Sequence, residues 1–159
     1  MNIILWTRLF FYGNVILLLI IFFKFIHKER LHQLIPIGLF IAVENYTVEI
    51  IGLHYKIWKY PLDNPGYPEV IIISSLFYFP IVAMFFYQYL SESIPKTILL
   101  ILTFVGSNMI IEIITLKTTR LFVYGKNMNL LIAFFMYLFA YILIILFQYF
   151  YHKKLLKRS

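Results

Sequence analysis

The stretch Val70-Ile-Ile-Ile-Ser-Ser-Leu-Phe-Tyr-Phe-Pro80-Ile-Val-Ala-Met-Phe-Phe-Tyr-Gln-Tyr-Leu90 carries no charged side chain. A helix rises 1.5 Å per residue, so a run of about 20 apolar residues matches the roughly 30 Å hydrocarbon core of a bilayer. Asn127–Tyr151 is a second run without a charge. Working outward from these two, the apolar segments predict five spans, at about 3–26, 34–56, 69–90, 95–117 and 127–151. The second and fourth are less apolar, because Glu44, Glu49 and Glu112 fall inside them. Were one of these re-entrant or buried, three or four true spans would remain. The fold class expected is all-α, a polytopic transmembrane helix bundle forming a single domain over residues 1–159.

Composition agrees. Of 159 residues, 62% are hydrophobic and 13% charged, with mean hydropathy +0.86. A soluble domain is nearer half apolar and a quarter charged. The net charge of +7 is not the mark of a nucleic-acid binder, because Lys and Arg cluster at the ends of apolar runs. There is no cysteine, which excludes disulfides, thiol catalysis and thiolate metal sites. His27, His32, His54 and His152 show no metal-ligand spacing, and neither a glycine-rich phosphate loop nor a GxSxG motif occurs. No cofactor or metal is expected. The partners expected are the lipid bilayer and another membrane protein or a second copy of the chain; nucleic acid is not among them. The N-terminal run reads as a retained first helix. Its first charge is Arg8, and it ends in Lys24-Phe-Ile-His-Lys-Glu-Arg30 with no small-residue cleavage site after it.

Punctuation fits the five spans. Pro36 and Pro95 are expected in first turns, Ser93 as an N-cap, and Asp63-Asn64-Pro65-Gly66 as a turn. Pro80 lies mid-span and should kink it, freeing the carbonyl of Leu76. Trp6, Tyr55, Trp58, Tyr60 and Tyr124 read as an aromatic belt at one interface, and Tyr87, Tyr89, Tyr149 and Tyr151 as a belt at the other. The basic tail His152-Lys-Lys-Leu-Leu-Lys-Arg158 reads as an anchor to anionic lipid.

The costly residues are the informative ones. A charge at the bilayer centre costs at least about 2.5–3.5 kcal/mol on insertion scales and is expected to face a partner or a cavity. Five spans place Arg8, Glu49 and Glu112 in the same half of the membrane. At about 100° per residue, Gly38, Asn45, Glu49 and Gly52 share one stripe, as do Asn108, Glu112, Thr115 and Thr119. Each stripe holds Asn-x-x-x-Glu: Asn45-Tyr-Thr-Val-Glu49-Ile-Ile-Gly-Leu53 and Asn108-Met-Ile-Ile-Glu112-Ile-Ile-Thr-Leu116. The offset from Asn45 to Asn108 is 63 residues, and it also aligns Tyr78 with Tyr141. The pattern suggests a duplicated helical hairpin, spans two and three repeated as four and five.

The candidate ligand site is therefore Glu49, Glu112, Asn45, Asn108, Arg8 and Glu44, with no catalytic residue assigned. Its leading reading is a non-enzymatic, outward-facing site that binds or passes a small ligand or a cation. The purely structural reading has Arg8 pairing Glu49 or Glu112 while both asparagines bond across helices. Two further readings are an accessory subunit with structural buried charges and a lipid- or isoprenoid-modifying enzyme using the two glutamates as acid and base. His54, out of phase with the Asn45/Glu49 stripe, is expected at the interface.

From the second span onward the chain resembles a family of small, uncharacterised multi-pass membrane proteins of low-GC Gram-positive bacteria. The features that carry the resemblance are Tyr60-Pro61, Leu76-Phe77-Tyr78-Phe79-Pro80, Tyr87-Gln88, and Ile111-Glu112 followed by Thr119, Tyr124 and Gly125. The chain departs from that family at Tyr78, where an acidic residue often follows the Leu-Phe pair. The resemblance implies a bacterial plasma membrane protein of about this size, and no activity.

Orientation follows from the basic residues. Arg8, Lys56, Lys59, Lys117, Arg120 and Lys126 lie on one side, six of the 14; Lys24, Lys28, Arg30, Lys96, Lys153, Lys154, Lys157 and Arg158, the remaining eight, lie on the other. The positive-inside rule then places the N-terminus outside and the C-terminus in the cytoplasm. An impermeant thiol reagent on intact cells should label Asn64→Cys and spare Ser159→Cys; the reverse pattern would invert the orientation.

Overall fold

The computed structural model describes residues 2–62 and 65–154. Five helical segments in it are long and apolar enough to cross a membrane: Ile3–Phe25, Lys28–His54, Tyr67–Gln88, Ile94–Thr118 and Leu130–Tyr151. The chain is thus all-α in its membrane part, and its span count is the expected one. We label the helices α1 (Ile3–Phe25), α2 (Leu31–His54), α3 (Tyr67–Ile73), α4 (Phe79–Gln88), α5 (Ile94–Thr118) and α6 (Leu130–Lys154). Asp63 and Asn64 of the expected turn, and the basic tail from Leu155 onward, lie outside the described residues.

The third span is the axis of the bundle. More than half of it is buried, whereas α1 buries only a few residues, Thr7 and Phe11 among them. It packs most extensively on α2, and α4 also touches α1, α5 and α6. Pro80 shapes it in the way its chemistry requires. Proline has no N–H to give the carbonyl four residues back. The chain answers with a π turn over Ser74–Tyr78, in which the Phe79 N–H reaches Ser74 O. The expected disruption is therefore a widened turn between α3 and α4.

The helix starts differ from expectation in their details. A short 3-10 turn, Lys28–Arg30, feeds directly into α2, so α2 starts at Leu31 and Pro36 sits inside it, in its second turn. Ser93 does occupy the N-cap of α5, but its side chain makes no capping bond. Instead the Thr97 hydroxyl donates to Ser91 O at 2.7 Å. The last helix starts at Leu130, three residues later than expected, with Asn129 Oδ1 accepting from the Ile132 N–H at 3.0 Å.

At one end of the bundle Gln88, only 5% exposed, ties the α1–α2 connection to α4. Its Oε1 accepts from the His27 N–H at 2.8 Å and its Nε2 donates to Phe25 O at 3.1 Å. Arg30 Nη1 donates to Gln88 O at 3.1 Å. At the other end, the two loops that the five-span reading places on one side meet. Trp58–Lys59 (β1) and Val123–Tyr124 (β2) form an antiparallel ladder pairing Trp58 with Tyr124 and Lys59 with Val123. An all-helical expectation had no place for this ribbon.

Two glycines and one strained lysine let the ribbon form. α2 closes in a Schellman arrangement, the Ile57 N–H bonding Gly52 O at 2.8 Å and the Lys56 N–H bonding Leu53 O at 3.1 Å. Lys56 takes the left-handed position with φ 54°, which glycine usually fills. A Cβ on Gly52 would overlap the Trp58 indole, and one on Gly125 would collide with Lys56 O. The Gly125 N–H bonds Ile57 O at 2.7 Å. Gly106, by contrast, has nothing within 4 Å of a built Cβ.

The two helix pairs of the suggested duplication pack in sequence order. α2 packs on α4 as α5 packs on α6, and the crossed pairs α2–α6 and α4–α5 also touch. The asparagines nevertheless have different partners: Asn45 Nδ2 donates to Ser75 Oγ at 2.9 Å, and Asn108 Nδ2 donates to the Tyr141 hydroxyl at 2.7 Å.

Two glycine substitutions should have opposite signs. Gly125→Ala should destabilise the protein by about 1–3 kcal/mol, because the clash is with backbone. Gly106→Ala, at a half-buried position in a helix interior with open space for a Cβ, should be neutral or stabilising by up to about 1 kcal/mol. Thermal unfolding in detergent micelles measures both; equal effects would mean that the ribbon does not constrain Gly125.

Candidate functional site

Beneath the ribbon, a cavity of about 330 Å³ lies among all five spans. Its walls are mostly apolar, with Ile41, Ala83 and Ile144 among the residues that take it towards the middle of the bundle. Glu44, Asn45, Glu49, Asn108 and Glu112 all line it. Five of the six candidate site residues are therefore brought together.

Helix phase explains the convergence. Asn45 and Glu49 are one turn apart on the face of α2 that also presents Gly38 to Met84 and Gly52 to Trp58. On α5 Asn108, Glu112 and Thr115 are all buried, as is Thr119 at its C-cap, so that stripe faces inward. Glu49 lies five residues before His54, and Glu112 six before Thr118. At 1.5 Å per residue, both carboxylates sit about 8–9 Å inside the ends of their helices.

Arg8 is the exception. It is exposed on α1 and absent from the cavity wall, and its charge is felt by Tyr12, whose hydroxyl donates to Glu69. The reason is one step of helix phase. Thr7 is the residue that turns inward, fully buried, and its hydroxyl accepts from the Arg120 N–H at 3.1 Å. Adjacent helical positions differ by 100°, so Arg8 points away.

The glutamates draw their hydrogen bonds from aromatic donors. Trp58 Nε1 donates to Glu49 Oε2 at 2.9 Å, and the Tyr60 hydroxyl donates to the same oxygen at 2.7 Å. The Tyr124 hydroxyl donates to Glu112 Oε1. These three aromatics were expected in an interfacial belt; the ribbon instead turns them inward, and Trp58 is only 8% exposed. Burial raises the pKa of the Tyr60 phenol, and the adjacent Glu49 raises it further. Burial likewise raises Tyr124, with its bond to Glu112 adding to the effect. Both phenols therefore keep their protons and remain donors at neutral pH.

Glu112 is incompletely satisfied. Its residue is 7% exposed, and Oε2 is buried with no hydrogen-bond partner. The Tyr137 hydroxyl faces this carboxylate but makes no bond of good geometry with Oε2. Deeper in, the Tyr78 hydroxyl makes a long 3.4 Å approach to Asn108 Oδ1, so the two tyrosines aligned by the repeat, Tyr78 and Tyr141, both meet Asn108.

The sequence did not single out Trp58, Tyr60, Tyr124, Tyr137 or Tyr141 as site residues. The available signal was spacing: Tyr60 follows Glu49 by 11 residues and Tyr124 follows Glu112 by 12, just far enough for the chain to leave a helix and turn back. His54 does not line the cavity; it stacks edge-on with Tyr55 at 4.9 Å near the surface. No group of three or more His, Cys, Asp or Glu that would hold a metal exists among the described residues. No family model, no curated protein and no solved structure matches the chain.

A double-mutant cycle measures the ribbon's grip on the site. Tyr124→Phe should cost about 1.5–3 kcal/mol, the range for a hydrogen bond to a charged group. In a Glu112→Gln background, where the acceptor is a neutral amide, the same change should cost about 0.5–1.5 kcal/mol. Additivity within about 0.5 kcal/mol in thermal unfolding would show that the two side chains are not coupled.

Proposed function

We propose that this multi-pass membrane protein is a non-enzymatic binding module whose five spans hold one small ligand in the Asn/Glu cavity beneath the ribbon. The observation that carries the reading is the buried, unpartnered Glu112 Oε2 on the wall of a cavity of about 330 Å³. A purely structural acid would be expected to satisfy both oxygens, because leaving a buried polar atom unpaired costs about 1–3 kcal/mol. An apolar cavity with a few convergent polar groups is the usual form of a small-molecule site.

The proposed setting is a bacterial plasma membrane, with the ribbon and cavity mouth on the outer side and the C-terminus in the cytoplasm. The basic-residue count supports that hand. Under this reading Glu49 is held ready by Trp58 and Tyr60, Glu112 offers its open oxygen, and Asn45 and Asn108 line the deeper wall. Glu44 adds a third carboxyl to the lining.

Benzyl alcohol is a suitable neutral probe, because it fits a cavity of this size and combines an apolar ring with one hydroxyl. At ten times its Kd it should stabilise the purified protein by about 1.4 kcal/mol, a rise of a few degrees in Tm. Ala140→Trp, which fills the cavity wall, should remove that rise without lowering the Tm of the free protein by a comparable amount. Equal shifts in both proteins would reflect partition into detergent and would leave only the structural reading of the acids.

A further inference from the structure

The cavity's charge is one-sided. Glu44, Glu49 and Glu112 line it, and no Lys, Arg or His does so among the described residues. An anionic ligand would meet carboxyls with no basic side chain on the wall to answer them. A neutral ligand would leave Glu112 Oε2 without a charge partner. The cavity therefore favours a cation.

Two observations select the kind of cation. First, a hard inorganic ion needs a shell of several oxygens at short range. The carboxyls here are spread along the wall, and no three acidic or histidine groups are close enough to share a metal among the described residues. The Glu49 oxygen nearest the ribbon is already occupied by two donors. Secondly, most of the remaining wall is hydrocarbon and aromatic ring, with Tyr78 beside Asn108, Tyr137 facing Glu112, and Phe79 next to both tyrosines. Ring faces attract a diffuse organic cation by about 0.5–2 kcal/mol, and they do little for the hydration shell of a small ion.

We infer that the cavity binds an organic ammonium ion, its charged head at the open Glu112 Oε2 and its apolar body against the aromatic wall. The inference rests on the binding reading above and narrows it to a ligand class. Recognition divides between the groups in a definite way. Glu112 supplies the direct charge contact. Glu49, restrained by Trp58 and Tyr60, supplies a second carboxyl that need not move when the ligand arrives. Volume limits the body to roughly one aromatic ring with a short branched head.

The probe is benzyltrimethylammonium, and its uncharged carbon isostere neopentylbenzene is the control. Calorimetric titration of the full chain in nanodiscs should show the ammonium binding at least tenfold more tightly than the isostere. Glu112→Gln should weaken the ammonium at least tenfold while changing the isostere less than twofold. Glu49→Gln should act in the same direction. If the isostere binds as well as the ammonium to the unaltered chain, the cavity binds ligands but the cation inference is wrong. Tighter binding of Mg²⁺ or Na⁺ than of the ammonium would overturn it in favour of an inorganic site. If neither aromatic probe binds the unaltered chain, the binding reading itself falls. The comparison of probes on the unaltered chain decides the matter even where a glutamine variant does not fold.

Discussion

Two carboxylates held inside a helical membrane bundle set the terms for everything around them. Lipid offers no hydrogen bonds, so each oxygen of Glu49 and Glu112 must find a donor in the protein, or water or a ligand in a cavity. The chain supplies donors from outside the helices. Its two short loops on one side pair as a ribbon and send Trp58, Tyr60 and Tyr124 back over the acids. Indole and phenol suit this role because each joins a large apolar body to one donor. They can fill space at the ribbon end of an apolar cavity and still satisfy a carboxylate.

Several otherwise separate features depend on that arrangement. Gly52 is small so that the Trp58 indole can lie against α2, and Gly125 is small so that β2 can approach the end of that helix. Lys56 accepts a left-handed backbone so that the chain reverses within a single turn after α2. Thr7 and Thr119 are buried where α1 meets the second loop, Thr7 accepting from Arg120 and Thr119 Oγ1 accepting from the Leu121 N–H at 3.2 Å. At the opposite end, Gln88 performs a comparable service for the α1–α2 connection with three backbone-directed bonds. The bundle is tied by polar contacts at both ends and has its cavity between them.

The third span links this frame to the cavity. Widening of the helix at Ser74–Tyr78 accompanies Pro80, and Ser75 and Tyr78 on that turn are the residues that meet Asn45 and Asn108. Hydrogen bonds of this kind between membrane helices average about 0.6 kcal/mol and reach about 1–2 kcal/mol. They are too weak to drive assembly alone. Their value lies in fixing which helix faces meet, and hence which residues line the space between.

Hydropathy and length determined the five spans from the sequence, because a bilayer imposes a length on any helix that crosses it. Helix phase determined that Asn45 and Glu49 share a face, and that Asn108 and Glu112 share another. The expense of buried charge determined that those faces turn inward. All of these are local or one-dimensional properties. The partners of the acids were not legible. Arg8 matched in depth but missed by the 100° that separates it from Thr7, and its depth alone could not reveal that. Trp58, Tyr60 and Tyr124 looked like interfacial aromatics, because their composition and position are the same whether they face headgroups or turn inward. Only the pairing of two loops more than 60 residues apart, Trp58 with Tyr124, decided which way they point. The cavity, and the oxygen left open within it, are products of that long-range closure, which no segment of the sequence encodes by itself.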